Sequence, residues 1–120
     1  MFFIHKSSAK IHWTNHVKIK MRFYKLSEQR VRRILNSPKR TEEGIAPNTV
    51  ALMQVAGSEK HPYEIWVMLQ KINQKSDIKR QMLKVISAWK YPGRTKPRGE
   101  IAFNFIQQEF AEYKNEEKSV

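Results

Sequence analysis

The spacing of apolar positions changes twice along the chain, and each change marks a new kind of element. Two short runs come first, Phe2 to Lys6 and Lys10 to Trp13, separated by Ser7-Ser8-Ala9; they read as a short hairpin or a loose arm. From Asn15 to Lys25, Val17, Met21 and Tyr24 recur at helical spacing behind Thr14, whose hydroxyl can cap the first turn. Ser27 can cap a second helix with Val31, Ile34 and Leu35 as its stripe, and Asn36-Ser37-Pro38 ends it. Further on the period falls to two. Asn48 to Ala56 is apolar and β-branched and closes on Gly57. Tyr63 to Gln70 sets Tyr63, Ile65, Val67 and Leu69 opposite Trp66 and Met68. Gln81 to Tyr91 sets Leu83, Val85, Ser87, Trp89 and Tyr91 opposite Met82, Lys84, Ile86, Ala88 and Lys90, until Pro92-Gly93 stops it.

The polar connections Gly57 to Pro62 and Asn73 to Lys79 suit antiparallel neighbours, and Lys39 to Gly44 can add an edge strand. Beyond Gly99, the residues Ile101, Phe105, Ile106, Phe110 and Tyr113 predict a terminal amphipathic helix. Helices segregated from strands imply an α+β fold: two N-terminal helices packed on one face of a three- to four-stranded antiparallel sheet, with a C-terminal helix. The 120 residues make one domain, and no repeat, low-complexity tract or linker divides them.

Composition narrows the chemistry. With no cysteine, disulfides, thiolate metal sites and a cysteine nucleophile are all excluded, which suits a reducing compartment. No segment approaches the roughly 20 apolar residues of a membrane span, and Met1-Phe2-Phe3-Ile4 is too short for a signal-peptide core, so a cytoplasmic protein without a membrane partner is expected.

The net charge of +12 is spread unevenly. Residues 1–40 carry eleven Lys or Arg against the single acid Glu28, whereas residues 99–120 carry five Glu against two Lys. A basic body with a mildly acidic tail points to a polyanion, most directly a nucleic acid. The same charge also serves solubility.

His12 and His16 are four apart, the spacing of a helical metal pair. No acid lies near them in sequence, however, and Thr14 starts the helix between them, so no metal site or other cofactor is expected. His16 and Lys20 share one helix face. A neutral imidazole there can take a proton from a ribose 2′-hydroxyl while the ammonium holds the charge of the phosphorane. An exposed helix surface fits the same spacing. His61, in a turn beside Lys60 and Pro62, is a second acid–base candidate.

A third candidate is the segment from Lys84 to Arg98. Lys84 and Lys90 fall on one strand face and Trp89 and Tyr91 on the other, and Arg94, Lys96 and Arg98 follow in a Pro/Gly-shaped loop. Cations that pin phosphates, beside aromatic faces that stack bases, are how single-stranded RNA is gripped. Trp89 fits the core equally well. There is no Gly-rich phosphate loop, Ser-His-Asp order or usefully spaced carboxylate pair, which leaves nucleotide hydrolysis and protease or glycosidase chemistry unsupported.

The run Thr14-Asn15-His16-Val17-Lys18-Ile19-Lys20-Met21, followed by Tyr24-Lys25-Leu26-Ser27, resembles the opening helix of small RelE-like domains. These belong to the barnase–EndoU–colicin–RelE ribonuclease superfamily, in a branch with a Thr-x-His-small-x-x-Arg-Met helix. Ala88-Trp89-Lys90-Tyr91-Pro92 resembles its closing strand. The likeness covers roughly residues 10–95 and leaves residues 99–120 as a helical extension. Lys20 stands where that pattern usually has Arg, and Tyr24 where a second Arg is common. The resemblance implies a toxin-type or phage-associated endoribonuclease with His16 as acid–base and Lys20 as phosphate clamp. It also implies metal-independent cleavage by the RNA's own 2′-hydroxyl, and an acidic antitoxin or immunity protein as a further partner. A non-catalytic nucleic-acid-binding module on the same scaffold is the alternative.

Overall fold

The computed structural model describes residues 9–72 and 81–118; the Phe2–Lys6 run and the Asn73–Lys79 turn lie outside the described residues. Strand β1 (Ala9–Trp13) leads into helices α1 (Asn15–Tyr24) and α2 (Glu28–Asn36). Four strands follow, β2 (Arg40–Glu43), β3 (Thr49–Gly57), β4 (Pro62–Ile72) and β5 (Gln81–Pro92), and then helix α3 (Glu100–Lys118). Both predicted caps are present: Thr14 accepts from the Val17 N–H and Ser27 from the Arg30 N–H, each at 3.1 Å. Lys25 turns left-handed at φ 57° to end α1, and the Leu26 N–H closes back on the Met21 carbonyl at 2.8 Å.

The α+β class and the three helices stand, but among the described residues the sheet has five strands and is mixed. Its order is β1-β5-β4-β3-β2; β2 through β5 pair antiparallel, and β1 adds to the far edge of β5 in parallel, with Ile11 opposite Leu83 and Trp13 opposite Val85. The run at residues 10–13 is therefore a strand of this sheet and not a loose arm. It reaches a partner about seventy positions later, and α1 and α2 then carry the chain onto the sheet face.

The helices do not all share that face. Val17, Met21, Val31, Ile34 and Leu35 bury against Val50, Leu52, Ile65, Val67, Leu69, Leu83, Val85 and Ala88. Ala102, Ile106 and Tyr113 of α3 bury against Met53, Trp66, Met68, Ile86 and Trp89 on the opposite side. There the Trp66 and Trp89 rings stack with centroids 5.9 Å apart, so Trp89 belongs to the core. The buried line of α3 is Ala102, Ile106, Glu109 and Tyr113, whereas Ile101 is half exposed.

The strict alternation expected of β5 breaks at one residue. Ser87 faces Met68 and Val85 faces Leu69, which leaves Ile86 as the extra residue of a β-bulge. Before the bulge Val85 serves the α1–α2 side; Ile86 and Ser87 both serve the α3 side; after it Ala88 returns to the first. Among the described residues no helix is long and apolar enough to cross a membrane.

Candidate functional site

The bulge in β5, the start of α1 and the C-terminal half of α3 meet at one place. Thr14 fixes the first two together. Its buried hydroxyl lies 3.0 and 3.1 Å from the Val85 and Ile86 carbonyls, and its N–H reaches the Val85 carbonyl at 3.3 Å. This pins the first turn of α1 over the bulge and sets His16, 6 % exposed, against α3.

On α3, Glu109, Glu112 and Glu116 recur at helical spacing and turn toward α1. Glu116 Oε2 lies 2.6 Å from His16 Nδ1, and Glu109 Oε1 lies 3.5 Å from Nε2, a long contact. Glu109, itself buried, also accepts from Ser87 Oγ and pairs with Lys20 Nζ at 2.9 Å. Lys20 reaches Glu112 at 3.6 Å as well. Alongside, Lys84 sits 5.3 Å over the Tyr113 ring and 3.6 Å from Glu117.

A pocket of about 230 Å³ opens on this cluster, lined chiefly by His12, Asn15, His16, Lys84, Tyr113 and Glu116. His16 and Lys84, from separate sequence candidates, thus share one site. Lys20 is near His16 but does not line the pocket, because Glu109 and Glu112 hold its ammonium beneath α3.

Among the described residues, His16, Glu109 and Glu112 also place ligand atoms within 4.8 Å of one another. A cation bound there would have to compete with the Lys20 ammonium, which already reaches both carboxylates.

The carboxylates and Tyr113 favour the charged form of the two lysines. Burial pulls Lys20 down, but the hydrogen bond and charge of Glu109, with Glu112, outweigh it and hold the ammonium above the ordinary 10.5. Lys84 is also held above 10.5, first by its hydrogen bond with Tyr113 and then by Glu117, against the opposing effect of burial. Burial opposes ionisation of Glu117, but Tyr113, Lys84 and Lys114 outweigh it and hold the carboxyl below its ordinary value.

For a lysine whose pKa is raised on folding, the stabilisation is complete below the unfolded value and is lost as pH climbs through the folded one. The melting temperature is therefore expected to drop as pH rises above about 10.5. Lys20→Met should soften that drop. A drop of equal size in Lys20→Met, followed by calorimetry, would remove Lys20 from the account.

The other sequence candidates are dispersed. His61 is exposed in the β3–β4 turn, beside the Pro92 end of β5; from Val85 to Pro92 is roughly 20 Å along the strand, so it does not meet His16. Lys84 and Lys90 do not share a face as the alternation implied. The bulge leaves Lys84 against Tyr113 of α3 and turns Lys90 over Tyr63 on the α1–α2 side. Tyr91 packs edge-on against Phe105, with ring centroids 5.7 Å apart.

Arg94, Lys96 and Arg98 are exposed on a loop held firmly in place. Its Thr95 turns inward, giving its hydroxyl and N–H to the buried Glu64 at 2.7 and 3.0 Å and accepting from Arg40. The left-handed Arg98 (φ 54°) donates its N–H to Glu42 at 3.0 Å. This loop precedes Glu100, so the sixteen positions of α3 to Glu116 set it about 24 Å from the pocket.

Sequence reasoning missed Glu109, Glu116, Tyr113 and Ser87. The available signal was Glu109 itself, an acid at an apolar position of the α3 stripe. No family model matches the chain, and comparison with curated proteins and with solved structures yields no match.

Proposed function

We propose that this chain is a metal-independent endoribonuclease of the RelE-like type, cleaving RNA by attack of its own 2′-hydroxyl. The observation that carries the reading is the pocket in which two imidazoles, His12 and His16, meet an ammonium, Lys84, with a carboxylate directly on His16. Glu116 and Glu109 flank the two ring nitrogens of His16 at 2.6 and 3.5 Å; they orient the imidazole and stabilise the imidazolium formed when it takes the 2′-hydroxyl proton. As the 2′-oxygen bonds to phosphorus and the 5′-oxygen departs, His12 returns a proton to the leaving oxygen, and a 2′,3′-cyclic phosphate remains. Lys84 takes the clamp role first given to Lys20 and balances the charge of the phosphorane. Lys20 instead positions Glu109.

A second reading, a non-catalytic RNA-binding module, draws on one specific observation. Four α3 carboxylates, Glu109, Glu112, Glu116 and Glu117, gather on His16, Lys20 and Lys84, so a phosphate must displace anions already in place. Incubation of the purified protein with single-stranded RNA in EDTA separates the two. Cleavage to cyclic-phosphate ends is expected; retardation of intact RNA would establish the binder instead. Affinity should in either case fall steeply with salt, because each neutralised phosphate releases counterions. A flat salt response would end both readings. An acidic protein of antitoxin or immunity type would compete for the same cations, and the cytoplasm is the expected place of action.

A further inference from the structure

The acids and cations are distributed unequally between the two faces of the sheet. On the α3 side Lys20, Arg40, Lys84 and Lys114 each have a carboxylate partner. On the outer side of α1, Lys18 and Arg22 are exposed, with no ion pair among the described residues. The same surface bears two apolar side chains in water: Ile19 is 49 % exposed and Phe23 72 %, the largest exposure among the large hydrophobics of the described residues.

A helix advances 100° per residue, which places Ile19 and Phe23 side by side, one turn apart. They occupy the arc of α1 between a cationic edge, Lys18 and Arg22, and the edge that carries His16 and Lys20. The Phe23 ring is braced edge-on by Tyr24, with centroids 4.8 Å apart, and leaves its other surfaces open.

From this we infer that the outer face of α1 holds a single RNA strand, with an unpaired base stacked on Phe23 and the backbone on Lys18 and Arg22. Three properties select this occupant. The bare cations fit a polyanion. An exposed aromatic ring beside them gives a base the π-face that a duplex does not offer. The arc is also continuous with the edge bearing His16, so a strand entering the pocket of His12, His16 and Lys84 runs on along the helix. The inference rests on RNA being the ligand and does not require that it be cut.

The test is the affinity of the full chain for a short single-stranded RNA and for an RNA duplex, in EDTA at fixed salt. Phe23→Ser should weaken single-strand binding about ten-fold and leave duplex binding nearly unchanged, and Phe23→Trp should restore the loss. Lys18→Ala with Arg22→Ala should weaken both and flatten the salt dependence by up to about two counterions. All three residues are exposed, so an unshifted melting temperature checks the fold. Full single-strand affinity in Phe23→Ser overturns the inference while leaving RNA as the ligand, and gives the face to another partner, such as an acidic protein. Absence of RNA binding by the wild-type chain overturns both this inference and the proposed function.

Discussion

Replacing Glu64 with alanine is expected to cost roughly 3–5 kcal/mol of folding stability. Glu64 is 1 % exposed and is the shared acceptor for three groups: the Trp66 indole N–H at 3.0 Å, the Thr95 hydroxyl at 2.7 Å and the Thr95 N–H at 3.0 Å. Arg40 lies 3.8 Å from it, with its guanidinium over the Trp66 ring. Truncation strands these donors away from water and leaves Glu42 as the carboxylate facing Arg40. A domain of this size holds only about 5–15 kcal/mol in reserve, so the variant should melt far earlier or fail to accumulate. Glu64→Gln keeps the shape and one acceptor and should recover part of the loss. Urea denaturation of the three proteins measures the differences; an alanine variant within about 1 kcal/mol of wild type would mean that water replaces the carboxylate. The consequence reaches beyond stability, because Glu64 and Glu42 mount the loop carrying Arg94, Lys96 and Arg98.

Glu64 also shows what the sequence made legible. It shares the period-two face of Trp66 and Met68, so an acid at an inward position could be read from the pattern, although its partners could not. Local chemistry was readable: Thr14 and Ser27 cap where a hydroxyl precedes a helical stripe, and β3 and β4 begin and end within two residues of the expected bounds. Non-local pairing was not. Ile11 meets Leu83 across the whole domain, and a five-residue strand carries no mark of whether its partner runs parallel. The stripe of α3 showed that one face is buried but not which side of the sheet covers it. The bulge at Ile86 is silent in composition, yet it moves Lys84 and Lys90 to opposite faces.

The site was half readable for the same reason. His16 and Lys20 are one turn apart, so their proximity follows from helix geometry. Glu109 and Glu116 stand 93 and 100 positions from His16, and only the tertiary fold brings them in. The segment read as a mildly acidic tail in fact forms one wall of the pocket. Its carboxylates move Lys20 out of the clamp role and leave Lys84, from a different sequence candidate, as the cation facing the cavity.

His16→Ala is expected to lower the cleavage rate by about 10²–10⁴-fold while changing RNA affinity only a few-fold. The imidazole moves the proton in the proposed reaction, and binding falls mainly to cations and aromatic surface elsewhere. Because His16 is buried, its role in folding must be separated from its role in chemistry. Removing the ring takes one contact from Glu116, whose side chain is 35 % exposed and can meet water, while Glu109 keeps Lys20 and Ser87. The stability loss should therefore be modest, on the order of 1–2 kcal/mol, and the variant should stay folded at assay temperature. A second variant sharpens the assignment. Lys84→Ala should reduce both affinity and rate, since a clamp acts on bound substrate and transition state alike, whereas His16→Ala reduces the rate alone. Cleavage by His16→Ala at the wild-type rate would remove the imidazole from the reaction. Rate and affinity lost together, with a collapsed melting transition, would make His16 a structural residue of the α1–α3 contact.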